Sequence, residues 1–115
     1  MQPVQLDVHL EDSSNGTPPV AKLDGKLVLE TVSGFLQTLR PQASPSLIID
    51  MSGVSFLDSA GVGALVQLFV HRRNQGQKFA LAALTQQGTA VMQVAGLLKL
   101  IPVFGSVGEA AQLAN

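Results

Sequence analysis

The chain has 115 residues, a net charge of −1 and no cysteine. This length fits one domain, residues 1–115, that can bury a core without a metal or a disulfide. The missing cysteines exclude thiolate catalysis and cysteine metal sites. No basic patch stands out, which argues against nucleic acid as a partner. No apolar run is long enough for a membrane span and the first residues do not resemble a signal peptide, so we expect a cytoplasmic location.

The first third of the chain predicts two strands and a helix. Apolar and polar residues alternate over 4–10, which is typical of a half-buried strand, and Pro3 suits an edge position. A turn-rich segment separates this strand from a second one over Val20–Leu23, which we expect to pair with it as an antiparallel hairpin. A helix follows from about Leu29 or Glu30 to Arg40. Gly34 lies inside this helix and costs about 1 kcal/mol relative to alanine, without an evident reason.

The stretch from Leu47 to Asn74 predicts a buried strand, a loop and an amphipathic helix. Leu47–Ile49 is continuously apolar, as in strands covered on both faces, and we expect a loop over Asp50–Asp58. Either Asp58 or Ser59 can cap the helix. The predicted buried stripe of the helix is Val62, Leu65, Val66, Phe69 and Val70, with Gln67, His71, Arg72 and Asn74 off it. Gly76 suits the helix end.

The remaining residues predict alternating strands and helices. A strand over Lys78–Leu84 is followed by a helix over Gln86–Ala95, which Thr85 caps and Gly96 ends, with Val91 and Val94 pointing inward. An edge strand over Ile101–Phe104 comes next. The last helix begins with the capping box Ser106–Glu109. Such alternation implies parallel strands joined by right-handed crossovers. The fold class is therefore α/β, a mixed and mostly parallel sheet with an N-terminal antiparallel pair, flanked by helices.

The polar residues do not suggest an active site. His9 and His71 fall on polar faces without a paired acid or nucleophile. Asp50 and Asp58 fit a strand end and a helix cap better than a pair of catalytic carboxylates. We therefore expect a protein that is not an enzyme and that has no catalytic residue, metal site or cofactor.

Ser59 carries the hydroxyl that is most informative about function, and two glycines follow it. The residue two positions before it is Leu57, so this is not the nucleophile elbow G-x-S-x-G. No Lys-Ser or Lys-Thr follows the glycines, so it is not a P-loop either, and we expect neither binding nor hydrolysis of ATP. Gly61 and Gly63 allow the helix start to approach either the protein's own sheet or a partner.

The segment F-L-D-S-A-G-V-G-A-L, Phe56–Leu65, resembles the signature of the STAS domain, the fold of bacterial anti-sigma-factor antagonists. The resemblance extends over nearly the whole chain. It includes the G-x-L element Gly25–Leu27, the apolar strand before Asp50 and the closing strand around Ile101–Val103. The resemblance implies a STAS-like single domain.

Two positions depart from the pattern of the antagonists. Val28 stands where G-x-L-D usually has an acid, and Ala60 stands where the phosphorylated antagonists have their acceptor hydroxyl. Ser59 is therefore the remaining phosphorylation candidate. The tetrapeptide D-S-A-G is also similar to the D-T-A-G of STAS subunits attached to ATP-binding-cassette lipid transporters.

The resemblance implies a regulatory interaction module. Its expected partner is an anti-sigma factor that is also a serine kinase, with the histidine-kinase-like ATPase fold, in transcription regulation and signalling. A constitutive subunit of a lipid transporter, bound to its ATPase, or of a larger signalling complex is the alternative. Alone, the protein is expected to be a monomer or a weak dimer. The predicted partner-binding residues are Asp58, Ser59, Ala60, Gly61, Gly63 and Ala64.

Overall fold

The computed structural model describes residues 4–12 and 16–114, so Pro3 and the turn residues 13–15 lie outside it. Nine elements follow one another along the described chain. They are β1 (Leu6–Glu11), β2 (Val20–Leu27), α1 (Val32–Leu39), β3 (Ser46–Leu57), α2 (Ser59–Asn74), β4 (Lys78–Ala82), α3 (Gln86–Val94), β5 (Val103–Phe104) and α4 (Val107–Ala114).

The strands form one sheet in the order β1-β2-β3-β4-β5. β1 pairs with β2 antiparallel, and every later pair is parallel. This confirms the predicted mixed sheet with an antiparallel pair at its N-terminal edge. Since the parallel strands share one direction, their carboxyl ends meet at one end of the sheet, and α2 starts there directly after β3.

Helices cover the two faces of the sheet unequally. The larger cluster joins one face to α1, α2 and α3, with Phe35, Leu65 and Met92 among its buried members. The smaller cluster joins the other face to α4 through Ile48 and Ala110. The long central helix α2 is thus packed along one side and begins at the end of the sheet.

Two strands are longer than predicted. β2 continues to Leu27, and β3 runs through Asp50 to Leu57, so the predicted loop over Asp50–Asp58 is wrong. The pairing of β2 with β3 passes two irregularities, each of which adds one residue to β3. Such bulges interrupt the alternation of buried and exposed residues, and that is why the periodicity pointed to a loop.

The helices agree with the predictions at most of their ends. Gly76 and Gly96 have φ of 71° and 73° and follow α2 and α3, as expected of helix stops. The Thr85 hydroxyl accepts the Gly88 N–H at 3.1 Å, which confirms the predicted cap of α3. α1 begins at Val32, two or three residues later than predicted.

The predicted buried stripe of α2 is only partly right, since Leu68, which it omitted, is fully buried, while Val66, Phe69 and Val70 are half-buried. Two further predicted orientations are wrong. Val94 is 91% exposed, and Met92 is the residue of α3 that enters the core. Arg72, predicted to lie off the buried stripe of α2, is fully buried. Both residues lie near a helix end, and Arg72 is covered by the loop before β3 and the start of β4, to whose carbonyls it donates.

Candidate functional site

Asp58 connects β3 to α2 and holds the helix start in place. Its backbone is extended (φ −103°, ψ −177°), and its Oδ1 accepts the N–H of Gly61 at 2.8 Å. Its Oδ2 accepts the N–H of Leu29, 29 residues away, at 3.2 Å. Asp58 is therefore the N-cap, which decides between the two candidates, and it also ties the helix to the loop after β2.

Ser59 is the first residue of α2, and its side chain is exposed. Among residues 4–12 and 16–114, no side chain or main-chain group forms a hydrogen bond with its hydroxyl. The free N–H groups of a first helical turn carry partial positive charge, which favours an anion at this position. The hydroxyl is thus accessible, and the main chain beneath it can accommodate negative charge.

The two glycines of α2 have different surroundings. Gly61 is buried, and an added Cβ would overlap the carbonyl oxygen of Leu27 and crowd the side chain of Leu57. An added Cβ on Gly63 would meet nothing within 4 Å. Close approach to the protein's own sheet therefore explains Gly61, while Gly63 opens to solvent.

The predicted partner-binding residues fall into accessible and buried groups. Ser59 and Gly63 are exposed, Asp58 and Ala60 are half-buried, Gly61 is buried and Ala64 is 2% exposed. Only the first four offer surface to another molecule. Gly61 and Ala64 contribute to the site indirectly, since they let α2 pack closely on the sheet.

Two exposed apolar residues adjoin Asp58, one through a hydrogen bond and the other along the chain, and no sequence pattern indicated either of them. Leu29 is 67% exposed and follows β2, where its N–H donates to Asp58. Phe56 is 45% exposed and stands two residues before the cap, near the end of β3. Large apolar residues that remain in water around a polar centre are common in binding surfaces.

Gln87 fixes the end of β3 from α3. Its side-chain amide accepts the N–H of Leu57 at 2.9 Å and donates to the carbonyl of Leu57 at 2.8 Å. The ladder between β3 and β4 ends at the pair Asp50 and Ala82. Beyond that point the amide of Gln87 takes the place of a neighbouring strand and holds the residue that precedes Asp58.

Neither a metal site nor a membrane helix emerges from this arrangement. In the part of the chain that the structure describes, no three His, Asp or Glu side chains are grouped to hold a metal ion. None of the described helices is both long enough and apolar enough to cross a bilayer. What remains is a polar turn with one exposed hydroxyl, and two exposed apolar residues, Leu29 and Phe56, adjoin Asp58 by a hydrogen bond or along the chain.

The sequence profile of the STAS domain matches residues 11–110. The chain belongs to the STAS domain family. The match includes β2 to β5, the capped start of α2 and most of the hydrophobic core.

Solved structures with the same fold include anti-sigma factor antagonists and a part of a transporter. An anti-sigma factor antagonist from Mycobacterium paratuberculosis has a TM-score of 0.85 and 22% identity, with 98% of this chain and 97% of that one covered. The anti-sigma factor antagonist SpoIIAA, in its unphosphorylated form, has a TM-score of 0.75 and 20% identity, with 93% and 96% covered. The murine anion transporter Slc26a9 has a TM-score of 0.71 and 21% identity over 98% of this chain and 22% of the transporter. At these identities the likeness shows a common fold.

Proposed function

We propose that this STAS domain is a regulatory interaction module that binds an anti-sigma factor of the histidine-kinase-like ATPase fold, and that phosphorylation of Ser59 releases the partner. The observation that carries the proposal is the exposed Ser59 hydroxyl at a helix start whose cap, Asp58, is supplied by another residue. The hydroxyl is therefore not needed to complete the helix. The likeness to two anti-sigma factor antagonists supports the class of partner.

Phosphorylation would act on the interface and leave the fold intact. A phosphoserine adds about −1.5 to −2 charges at neutral pH. The first turn of α2 tolerates this charge because its N–H groups point toward it, although the carboxylate of Asp58 opposes part of the gain. A partner seated on Leu29 and Phe56 would exclude water from the phosphate, and an unpaired charge at such an interface is costly.

The surface contains no catalytic machinery. The side chain of Asp58 is occupied by the N–H groups of Gly61 and Leu29, and neither histidine belongs to the site. Any phosphoryl transfer to Ser59 would therefore depend on groups of the partner. The protein acts in this proposal as a substrate and a ligand, and does not act as an enzyme.

A second candidate function is that of a constitutive subunit of a transporter or of a larger signalling complex. One observation favours it: Ala60 stands where the phosphorylated antagonists have a hydroxyl. The likeness to Slc26a9, an anion transporter, shows that the fold also occurs as a part of transporters. In this case the same surface binds a transporter ATPase permanently, and Ser59 stays unmodified.

The test is capture of the partner from the native cell by tagged protein, with two matched variants. Leu29→Asp and Val94→Asp each place a carboxylate on an exposed apolar residue, but only Leu29 contacts Asp58. Wild type and Val94→Asp should both capture an anti-sigma factor, and Leu29→Asp should lose it. Mass spectrometry of the peptide that contains Ser59 should find Ser59 phosphorylated in the tagged protein that has no partner bound.

Other results would redirect or refute the proposal. A transporter subunit captured by wild type and lost with Leu29→Asp would support the second function. Equal capture by all three proteins would show that the surface around Leu29 and Ser59 is not the binding site.

A further inference from the structure

The outer edge of β1 and the helix α1 enclose an open groove of about 490 Å³. It is lined by residues 4–8 on the strand side and by Glu30, Thr31, Gly34, Phe35 and Thr38 on the helix side. β1 is the first strand in the sheet order, so within residues 4–12 and 16–114 one of its edges has no strand beside it. A free strand edge and a helix thus form the two walls of one groove.

The main chain of β1 can form a further ladder of hydrogen bonds. The carbonyl of Gln5 accepts the N–H of Lys26 at 3.0 Å, so the main-chain groups of Gln5 face β2. Antiparallel strands alternate in this respect, and the groups of Leu6, Val8 and Leu10 therefore point outward. Such an edge is a template for one more strand, because extended peptides can pair with it.

Gly34 keeps the groove open. Glycine weakens a helix interior, and the sequence alone gave no reason for it at this position. In the structure Gly34 lines the groove, and an added Cβ would meet nothing within 4 Å. A larger side chain here would extend into the space beside β1, so the glycine leaves room for side chains of another strand.

Acidic residues outnumber basic ones on β1, on α1 and beside them, and two of these acids, Asp7 and Glu30, line the groove itself. Residues 4–12 and 28–39 contain Asp7, Glu11, Asp12 and Glu30, four of the eight acidic residues of the chain, and no Lys or Arg. Asp7 also lies directly opposite Asp24 of β2. Like charges in this position destabilise a strand pair, and a positive side chain next to Asp7 would offset the repulsion. The nearest basic residues along the sheet, Lys22 and Lys26, lie one strand further in.

We propose that this groove binds an extended segment of a partner protein in which apolar residues alternate with Lys or Arg, added to β1 as a sixth strand. Successive side chains of a strand point to opposite faces. The apolar residues would enter the groove above Gly34 and Phe35, and the basic ones would lie beside Asp7 and Glu11 on the other face. A second copy of this chain would bring two acidic edges together, which disfavours it as the occupant. The proposal does not rest on Ser59 or its modification.

The test uses a synthetic peptide as long as β1, in which Val and Lys alternate, titrated into ¹⁵N-labelled protein. A control peptide has Glu in place of Lys. The Lys peptide should bind, lose affinity in salt and slow the hydrogen exchange of the amides of Leu6, Val8 and Leu10. The Glu peptide should bind at least about tenfold more weakly, because its charges repel those of Asp7 and Glu11.

Two variants of Gly34 form a matched pair. Both add helix propensity, but Gly34→Leu extends into the groove and Gly34→Ala adds one carbon in open space. The Lys peptide should bind Gly34→Ala within about twofold of wild type and Gly34→Leu about tenfold more weakly, since loss of a filled apolar contact costs about that factor. If Gly34→Leu does not fold in a thermal melt, the double variant Asp7→Asn with Glu11→Gln takes its place. It removes two acidic charges of β1 and should weaken binding of the Lys peptide.

Three results would overturn the proposal. Equal affinity for the two peptides, or no binding of the Lys peptide, would refute the predicted chemistry of the occupant. Wild-type affinity in Gly34→Leu would place the peptide elsewhere. Protection of the amides of Leu6, Val8 and Leu10 that rises with protein concentration alone would show that a second copy occupies the edge.

Discussion

The two ends of α2 are both fastened by a charged side chain, but in opposite ways. At the N-terminal end the carboxylate of Asp58 accepts the N–H groups of Gly61 and Leu29. At the C-terminal end the guanidinium of Arg72 donates to main-chain carbonyls at 2.7–3.0 Å, those of Gln42, Ser44 and Lys78. Each charge has the sign that the helix dipole favours at its end.

The two ends differ in what they leave in contact with water. Arg72 is fully buried, and burial lowers the pKa of its guanidinium below the ordinary value. It joins the loop before β3 to the start of β4 through a guanidinium that is itself out of contact with water. Asp58 is half-buried and is followed by the exposed Ser59. The charged side chain at the C-terminal end therefore serves the fold alone, while the one at the N-terminal end leaves an exposed hydroxyl beside it.

The largest expected effect is that of Arg72→Met. Methionine fills similar space but cannot donate, so the carbonyls of Gln42, Ser44 and Lys78 would lose a buried donor. Each unsatisfied buried group costs about 1–3 kcal/mol, and we expect a total loss of about 3 kcal/mol or more in the free energy of unfolding. Urea denaturation monitored by circular dichroism measures it. A loss below about 1 kcal/mol would show that water replaces the guanidinium at little cost.

Gly61→Ala and Gly63→Ala should move stability in opposite directions. Gly61→Ala forces a Cβ against the carbonyl of Leu27 and should destabilise the protein by about 1–3 kcal/mol, in the range of overpacked cores. Gly63→Ala adds a methyl group in open space and should stabilise α2 by up to about 1 kcal/mol. Thermal melts of the two variants compare them directly. Unchanged or increased stability of Gly61→Ala would contradict the close approach of α2 to β2.

Asp58→Ala tests the fastening at the N-terminal end. It removes the acceptor for the N–H groups of Gly61 and Leu29, and replacement of an N-cap by alanine costs about 0.5–2 kcal/mol. The loss should be smaller than that of Arg72→Met, because Asp58 is half-buried and water can replace it. Chemical denaturation of both variants under one condition ranks them, and the reverse order would contradict the comparison of the two ends.

The order of the elements could be predicted because it depends on local periodicity. The alternation in 4–10 and the helical period after Ser59 are visible within ten or so residues, and so are the caps at Asp58 and Thr85. The full length of β3 could not be predicted, since its second half is paired only through bulges with β2. Bulges follow from how two distant segments fit together.

The candidate site was predicted only in part for the same reason. Ser59 stands in a recognisable local motif, and the structure exposes its side chain to solvent. Leu29 forms a hydrogen bond with Asp58, 29 residues away, and Gln87 forms one with Leu57, 30 residues away. No local pattern in the sequence indicates such contacts. The burial of Arg72 likewise depends on carbonyls of the loop before β3 and of the start of β4, which only the fold brings together.

The most direct test of the open N-terminal end is to measure stability and partner binding of Ser59→Asp and Ser59→Ala side by side. Since Asp58 is the cap, we expect the free energy of unfolding of both variants to stay within about 1 kcal/mol of wild type, with a small gain for the acid. Titration against the captured partner should show wild-type affinity for Ser59→Ala and a loss of about 2 kcal/mol or more for Ser59→Asp. Wild-type affinity in Ser59→Asp would contradict a phosphorylation switch at this residue and leave a constitutive interaction module.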